Sequence, residues 1–485
     1  MKFFIKINIL IFICAVNQPL LAQFNYTEKA QQAHNSILSI DFVKFDTIKQ
    51  YKTDEDKGVF YWLGAYKSFI EFETTSSIID ADTVINQINN MVLLIEGLPH
   101  SSPFYYYCSA DLHLFLSFVF FEQNEPLKSI QQYLKAKNLI KTRQQIYPDF
   151  EFAGKHELIQ YFVNSFVNRQ MGFSSKTYAE LQKEYIDLLQ SYLKTENITF
   201  KRELKLLGLI LFNYQIDSNA EKFIHELNIN LEYAKAGPLE SLLSSMWYKK
   251  ADRYNFQYLV LSSANKLGFQ QRVNYLNLWY GNALLNRNND SAIYFINRFL
   301  DKQQTPKLIQ YARFKASLYW FVKGGVAKSD SLNRLILQTT NIAVAEDKQA
   351  LYEVGHCALW TKELVLARIL FDGGNYKKAL GVLLSVKQKV SSYNKKQKLE
   401  YSYRLARIYH KLNDIEKAAK FYQMAINSEL DSEFYYPAYS AYYLGNMYSK
   451  RGKNEKAEKY YTICNRLNSP VYKVSIHKKA RQAME

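Results

Sequence analysis

"LARIYHKLNDIEKAAKFYQMA", residues 405–425, decides the fold, because small side chains stand at fixed places among bulky ones. The arrangement starts again 39 residues later at Leu444 ("LGNMYSKRGKNEKAEKYYTIC") and 39 residues earlier at Leu366 ("LARILFDGGNYKKALGVLLSV"). In each copy the leading Leu is followed by a small residue (Ala367, Ala406, Gly445) and three residues on by a large one (Leu370, Tyr409, Tyr448). Nine more bring Ala379, Ala418 and Ala457, then Leu383, Tyr422 and Tyr461, then Val386, Ala425 and Cys464. Positions i, i+1 and i+4 share one helix face, so each copy reads as two antiparallel helices. Small side chains let two helix axes approach to about 8–10 Å. The turns are "DGGN", "KLND" and "KRGK", with Gly supplying a left-handed stop in two of them.

This spacing is the signature of the tetratricopeptide repeat, here with a period of 39 rather than the usual ~34 residues. One hairpin cannot bury its own apolar face, so copies stack. The sequence therefore predicts an all-α protein, a right-handed α-solenoid of antiparallel helix hairpins. Scarce Gly (17) and Pro (9) among 485 residues agree with helices over turn-rich β structure. Three regular repeats are expected over 356–470 and a basic capping helix over 471–485. Weaker hairpins are expected over 23–355, as one continuous solenoid. Leu116, Ser117 and Phe120, followed by Ser129, Tyr133 and Ala136, keep the spacing with Ser at both close contacts. Gly281 and Ala292 stand eleven apart, which implies a shorter turn. "KLIQYARFKASLYWFVKGG" and "SDSLNRLILQTTNIAV" read as another helix pair.

Residues 1–22 have Lys2 and Lys6, an apolar run from Ile7 to Val16, Pro19 and a small Ala22. They read as a secretory signal peptide cleaved after Ala22. The expected location is periplasmic or outer-membrane associated, without an integral membrane span. The apolar stretch 105–121, "YYYCSADLHLFLSFVFF", carries Asp111 and His113 and reads as a buried helix too short to span.

The chain resembles a group of secreted tetratricopeptide-repeat proteins of Bacteroidetes bacteria. The resemblance lies in "QIYPDF" (145–150), "EDKQALYE" (346–353), "ARILFDGGNYKKAL", "EYSYRLARIYHKL" and "YKVSIHKKA". It implies the repeat fold, export and a bacterial envelope setting. It implies no biochemical activity, because the group has none that is settled.

Motifs for chemistry are lacking. There is no H-E-x-x-H, phosphate-binding loop or G-x-S-x-G. Cys108 and Asp111 would share a helix face, but His113 lies about 140° from Cys108, so the three do not suit one metal ion. In "GHC" (355–357) adjacent residues point apart. No catalytic, metal or cofactor residues are therefore expected, and no cofactor.

The first helix of each hairpin leaves a stripe free of packing duty: Arg368, then Tyr403, Arg407, His410 and Lys411, then Tyr439, Tyr442, Asn446 and Lys450. Stacked, these make a basic, aromatic groove suited to an extended peptide with acidic groups or a free carboxylate. The leading functional reading is a non-enzymatic envelope scaffold that binds a protein or peptide there. Residues 371–485 hold 22 Lys/Arg against 10 Asp/Glu, a net +12 of the chain's +17. That motivates a second reading, binding of an anionic envelope polymer such as an acidic glycan or lipopolysaccharide. A third is an all-helical enzyme without a recognisable motif. Nucleic acid is not expected as a partner at such an address.

Overall fold

The computed structural model describes residues 24–50, 52–74, 80–167, 176, 178–194, 197–215, 236–340, 342, 344–428, 434–467 and 473–484. The expected signal peptide lies outside the described residues. Among them every regular element is a helix. The chain forms two compact units, one comprising residues 1–251 with 259–276 and the other 252–258 with 277–485.

The first unit holds α1 (Glu28–Leu38), α2 (Phe42–Lys49), α3 (Lys57–Thr74), α4 (Ala81–Glu96), α5 (Pro103–Glu122), α6 (Pro126–Ile146), α7 (Gly154–Phe162), α8 (Tyr178–Tyr192), α9 (Ile198–Gln215) and α10 (Pro238–Lys250). Helices α11 (Tyr254–Lys266) and α12 (Tyr275–Leu285) carry the chain across the boundary. The second unit continues with α13 (Ala292–Lys302), α14 (Ile309–Lys323), α15 (Val326–Leu337), α16 (Ala345–Gly355), α17 (Lys362–Asp372) and α18 (Tyr376–Ser385). It ends with α19 (Lys395–Lys411), α20 (Ile415–Ile426), α21 (Tyr436–Ser449), α22 (Asn454–Arg466) and α23 (Lys473–Gln482). Successive hairpins α17/α18, α19/α20 and α21/α22 stack on one another, so this unit is an α-solenoid.

The repeat columns are its core. Ala367, Ala406, Ala379, Ala418 and Ala457 are buried, as are Leu383, Tyr422, Tyr461, Val386, Ala425 and Cys464. Gly445 shows why small residues stand there: a Cβ on it would lie 2.6 Å from Tyr461 Cε1. Gly281 is similar, with Ile296 Cγ1 2.8 Å from an added Cβ.

One local device ends the first helix of every such hairpin. The residue four after the large position has a positive φ: Asn124 (60°), Asn288 (55°), Gly324 (87°), Gly374 (74°), Asn413 (63°) and Gly452 (68°). The next N–H then donates back to the carbonyl of the large residue. The pairs are Glu125–Phe120 (2.9 Å), Asn289–Leu284 (3.0 Å), Gly325–Trp320 (2.7 Å), Asn375–Leu370 (2.9 Å), Asp414–Tyr409 (2.9 Å) and Lys453–Tyr448 (3.0 Å). This six-to-one bond satisfies a carbonyl that the helix end would otherwise orphan. In "KLND", Asn413 does what Gly does in its neighbours; Asn is the side chain best suited to that conformation after Gly.

Where Ser replaces Ala, the close contact becomes polar. Ser117 Oγ donates to the Ser129 carbonyl (2.9 Å) and Ser129 Oγ to the Ser117 carbonyl (2.8 Å). Helices α14 and α15 repeat this: Ser317 and Ser329 are twelve apart, with their hydroxyls 2.9 Å from each other. Helix α16 is unpaired. It packs on α14 and α15, and its Asp347 accepts from the backbone N–H of Leu308 (3.0 Å) and Tyr311 (2.8 Å) at the start of α14.

Helix α5 corrects one expectation. It spans 20 residues and is long and apolar enough to cross a bilayer by length and composition. It is nevertheless the central helix of the first unit, buried along most of its length.

Candidate functional site

Arginine is the theme of the second unit's interior face. Arg368 on α17 and Arg407 on α19 occupy equivalent positions, 39 residues apart. With Ala367, Phe371, Asp372, Tyr403, Arg404, Tyr435 and Gln349 of α16, they line a cavity of about 180 Å³. The three guanidinium groups have different neighbours. Arg368 Nη2 meets Glu353 Oε1 at 2.8 Å and lies over the Phe314 ring. Arg404 Nε donates to Glu400 Oε1 (2.8 Å), while Lys396 bonds the other oxygen of the same carboxylate. Burial works to raise the Glu400 pKa, yet Arg404 and Lys396 outweigh it and hold it down at about 2.

Arg407 differs. Its Nη1 donates to the Tyr403 hydroxyl (3.2 Å), and its guanidinium lies 5.0 Å from the Phe371 ring centre and 4.0 Å from that of Tyr443. It forms no ion pair among the described residues. Aromatic faces hold the cation in place without neutralising it. A half-buried arginine held by rings and facing a cavity can take up an anionic group through its remaining N–H donors.

The structure brings Arg368, Tyr403 and Arg407 together and adds Arg404, which the stripe did not include. Other stripe residues are engaged elsewhere. His410 Nδ1 hydrogen-bonds the Tyr422 hydroxyl (3.2 Å), and burial with the charges of Arg407, Lys411 and Lys450 lowers its pKa to about 4. Asn446 Oδ1 accepts from the Tyr461 hydroxyl (2.8 Å). Tyr442 packs on Tyr443 and Tyr461, and Tyr439 on Tyr435 and Tyr443. Lys411 pairs with Asp252, and Lys450 is exposed.

Residues 402–433 match the family model of the tetratricopeptide repeat. Among solved structures the chain is similar to a monomeric mutant of IFIT1 with Gppp-AAAA. The identity is 15% over 86% of this chain and 98% of that one, with a TM-score of 0.31. No curated protein matches the chain. The matched repeat begins one residue before Tyr403, so it carries Tyr403, Arg404 and Arg407, three of the cavity's side chains.

The first unit contains a polar centre that sequence reading missed. Asp111, fully buried on α5, accepts from Trp62 Nε1 (2.9 Å), hydrogen-bonds His156 Nε2 (2.8 Å) and takes a bond from Lys155 Nζ. Lys155 also donates to Glu203 Oε1 (2.8 Å), and His34 Nε2 stands 3.8 Å from the other oxygen of Glu203. The Tyr26 hydroxyl is 3.0 Å from His34 Nδ1. Rings of Trp62, Tyr66, Tyr107 and Phe115 surround the Lys155 ammonium at 5.1–5.9 Å. Burial works against both charges, but Asp111 and Glu203 together outweigh it and raise the Lys155 pKa, while Lys155 and His156 together outweigh it and lower the Asp111 pKa. The group ties α1, α3, α5, α7 and α9 together.

Cys108, Asp111 and His113 therefore do not converge. Burial pushes the Cys108 thiol well up, and His113 Nδ1 turns to Gln132 Oε1 (2.7 Å). His356 Nδ1 bonds the Tyr352 carbonyl (2.9 Å), and burial raises the Cys357 thiol pKa, the opposite of what an activated nucleophile needs. Among the described residues no three His, Cys, Asp or Glu side chains gather as metal ligands.

Proposed function

We propose that this chain is a non-enzymatic scaffold of the bacterial cell envelope, exported by a cleaved signal peptide. It binds an extended, acidic segment of another protein in the cavity between α16, α17 and α19. The observation that carries the reading is Arg407, held on Phe371, Tyr443 and Tyr403 without an ion pair among the described residues. Arg368 and Arg404 are already paired with Glu353 and Glu400, so Arg407 is the cavity arginine left to meet the incoming group. Tetratricopeptide repeats generally mediate protein or peptide binding, and the matched repeat contributes to this cavity.

Cross-linking in envelope extracts tests it. Arg407→Glu should lose the protein captured by wild type, while Lys450→Glu, outside the cavity, should keep it. Equal capture by wild type and Arg407→Glu would reject the cavity as the binding site. The net +12 of residues 371–485 favours a second reading, an anionic envelope polymer as ligand. Such binding would fall steeply with salt; affinity unchanged from low to high salt excludes it.

A further inference from the structure

Helix α6 in the first unit presents an outward face of unusual make-up. Its inner side, with Ser129, Ala136, Ile140 and Arg143, is buried. Its outer side exposes Leu127 (76%), Ile130 (54%) and Leu134 (50%), and Phe121 at the end of α5 is 68% exposed. At about 100° per residue, Leu127, Ile130 and Leu134 fall within an arc of roughly 60°. Lys137 and Lys141 continue that arc, and Lys128 and Lys135 flank it. The helix holds five cations, Lys128, Lys135, Lys137, Lys141 and Arg143, and no Asp or Glu. Lys135, Lys137 and Lys141 form no ion pair among the described residues. The acids nearby are Glu125, which pairs with Lys128 at the α5–α6 turn, Glu157, which pairs with Arg143 on the inner side, Glu96, which shares a cavity wall with Lys135, and Glu122, which is exposed beside Phe121.

An apolar row flanked by unpaired lysines suits one kind of partner. Lysine stems can lie along the apolar row while their ammonium groups reach outward to phosphates. A protein groove large enough to take the row would have to desolvate those ammonium groups, whereas a lipid headgroup layer keeps them hydrated and neutralised. We propose that α6 docks the first unit on an anionic lipid bilayer surface, with Leu127, Ile130, Leu134 and Phe121 entering the headgroup boundary. This contact is independent of the cavity in the second unit.

Co-sedimentation of the full chain with vesicles tests it. The protein should bind phosphatidylcholine vesicles that contain phosphatidylglycerol and bind pure phosphatidylcholine far more weakly. Each lysine near an anionic surface contributes roughly a fivefold factor, so the triple change Lys135→Gln, Lys137→Gln, Lys141→Gln should weaken binding about a hundredfold. The triple change Leu127→Ser, Ile130→Ser, Leu134→Ser should weaken it at least about tenfold, with the helical circular dichroism spectrum retained because these side chains are half or more exposed. Equal sedimentation with both vesicle types, or wild-type binding by the serine variant, overturns the proposal. So does light scattering that shows a dimer in the wild type and a monomer in the serine variant, which would make this face a contact between copies.

Discussion

Replacing Lys155 by Met removes an ammonium that faces two buried carboxylates, Asp111 and Glu203. Met fills similar space and keeps the contact with the surrounding rings, so the change isolates the charge. Asp111 retains Trp62 Nε1 and His156 Nε2, but Glu203 keeps only neutral Tyr66 and His34 at 3.8 Å among its described neighbours in this centre. Breaking a buried ion pair from one side costs about 3–5 kcal/mol. For a unit of this size that lowers the melting temperature by about 10 °C. The sign with pH is fixed. Without its cation Asp111 feels burial as the largest influence, which favours its protonated form, so the deficit is full at neutral pH and shrinks as acid protonates it. Thermal unfolding followed by circular dichroism at about pH 8 and about pH 5 should show a larger deficit at the higher pH. Adding Glu203→Gln to Lys155→Met should recover part of the loss. A deficit below about 1 kcal/mol, or one that is equal at both pH values, would refute the idea that this ammonium holds the unit together.

Other outcomes follow from other parts of the fold. Gly445→Leu should cost about 1–3 kcal/mol through overpacking against Tyr461, whereas Gly381→Ala, with nothing near its added Cβ, should gain about 0.5–1 kcal/mol; chemical denaturation reads both. His34 is held neutral, its pKa lowered from 6.5 to about 4 by burial. Its contribution to stability is therefore intact above pH 6.5 and falls as the pH drops towards 4, and His34→Gln should flatten that fall in an acid titration of the melting temperature. Glu400 runs the usual way: with its pKa depressed to about 2 from 4.5, its contribution is present above pH 4.5 and is lost as the pH falls towards 2. Asp347→Ala leaves the N–H groups of Leu308 and Tyr311 without their acceptor and should lower stability by about 1 kcal/mol in denaturant titration.

The three strong repeats were legible because their packing is local and periodic. A residue and its partner stand twelve positions apart, and Ala at both makes the pattern visible. The same register at Ser317 and Ser329 went unread because Asn333 stands where Leu383 and Tyr422 stand, and its polar side chain disguises a core position. In the cavity, Arg368 and Arg407 could be found by counting, but Arg404 could not, since its column holds Val365 and Tyr443 in the adjacent repeats. His410 and Asn446 lie on the predicted stripe yet bond to Tyr422 and Tyr461. The column one helix over carries a hydroxyl in those two repeats, whereas Leu383 offers none. The Lys155 centre was out of reach because its bonds join residues 44–48 apart in sequence with no period linking them. The extended helix length of α5 was underestimated for a related reason: Ser102 and Pro103 start it earlier than its apolar run suggests.

Helix α16 is an odd member in a series of pairs, and it lends Glu353 to Arg368. Of two arginines at matching places in consecutive repeats, this extra helix thereby pairs the first and leaves the second without an ion pair among the described residues. Selectivity along the array can shift by a whole repeat through an insertion, with no arginine gained or lost.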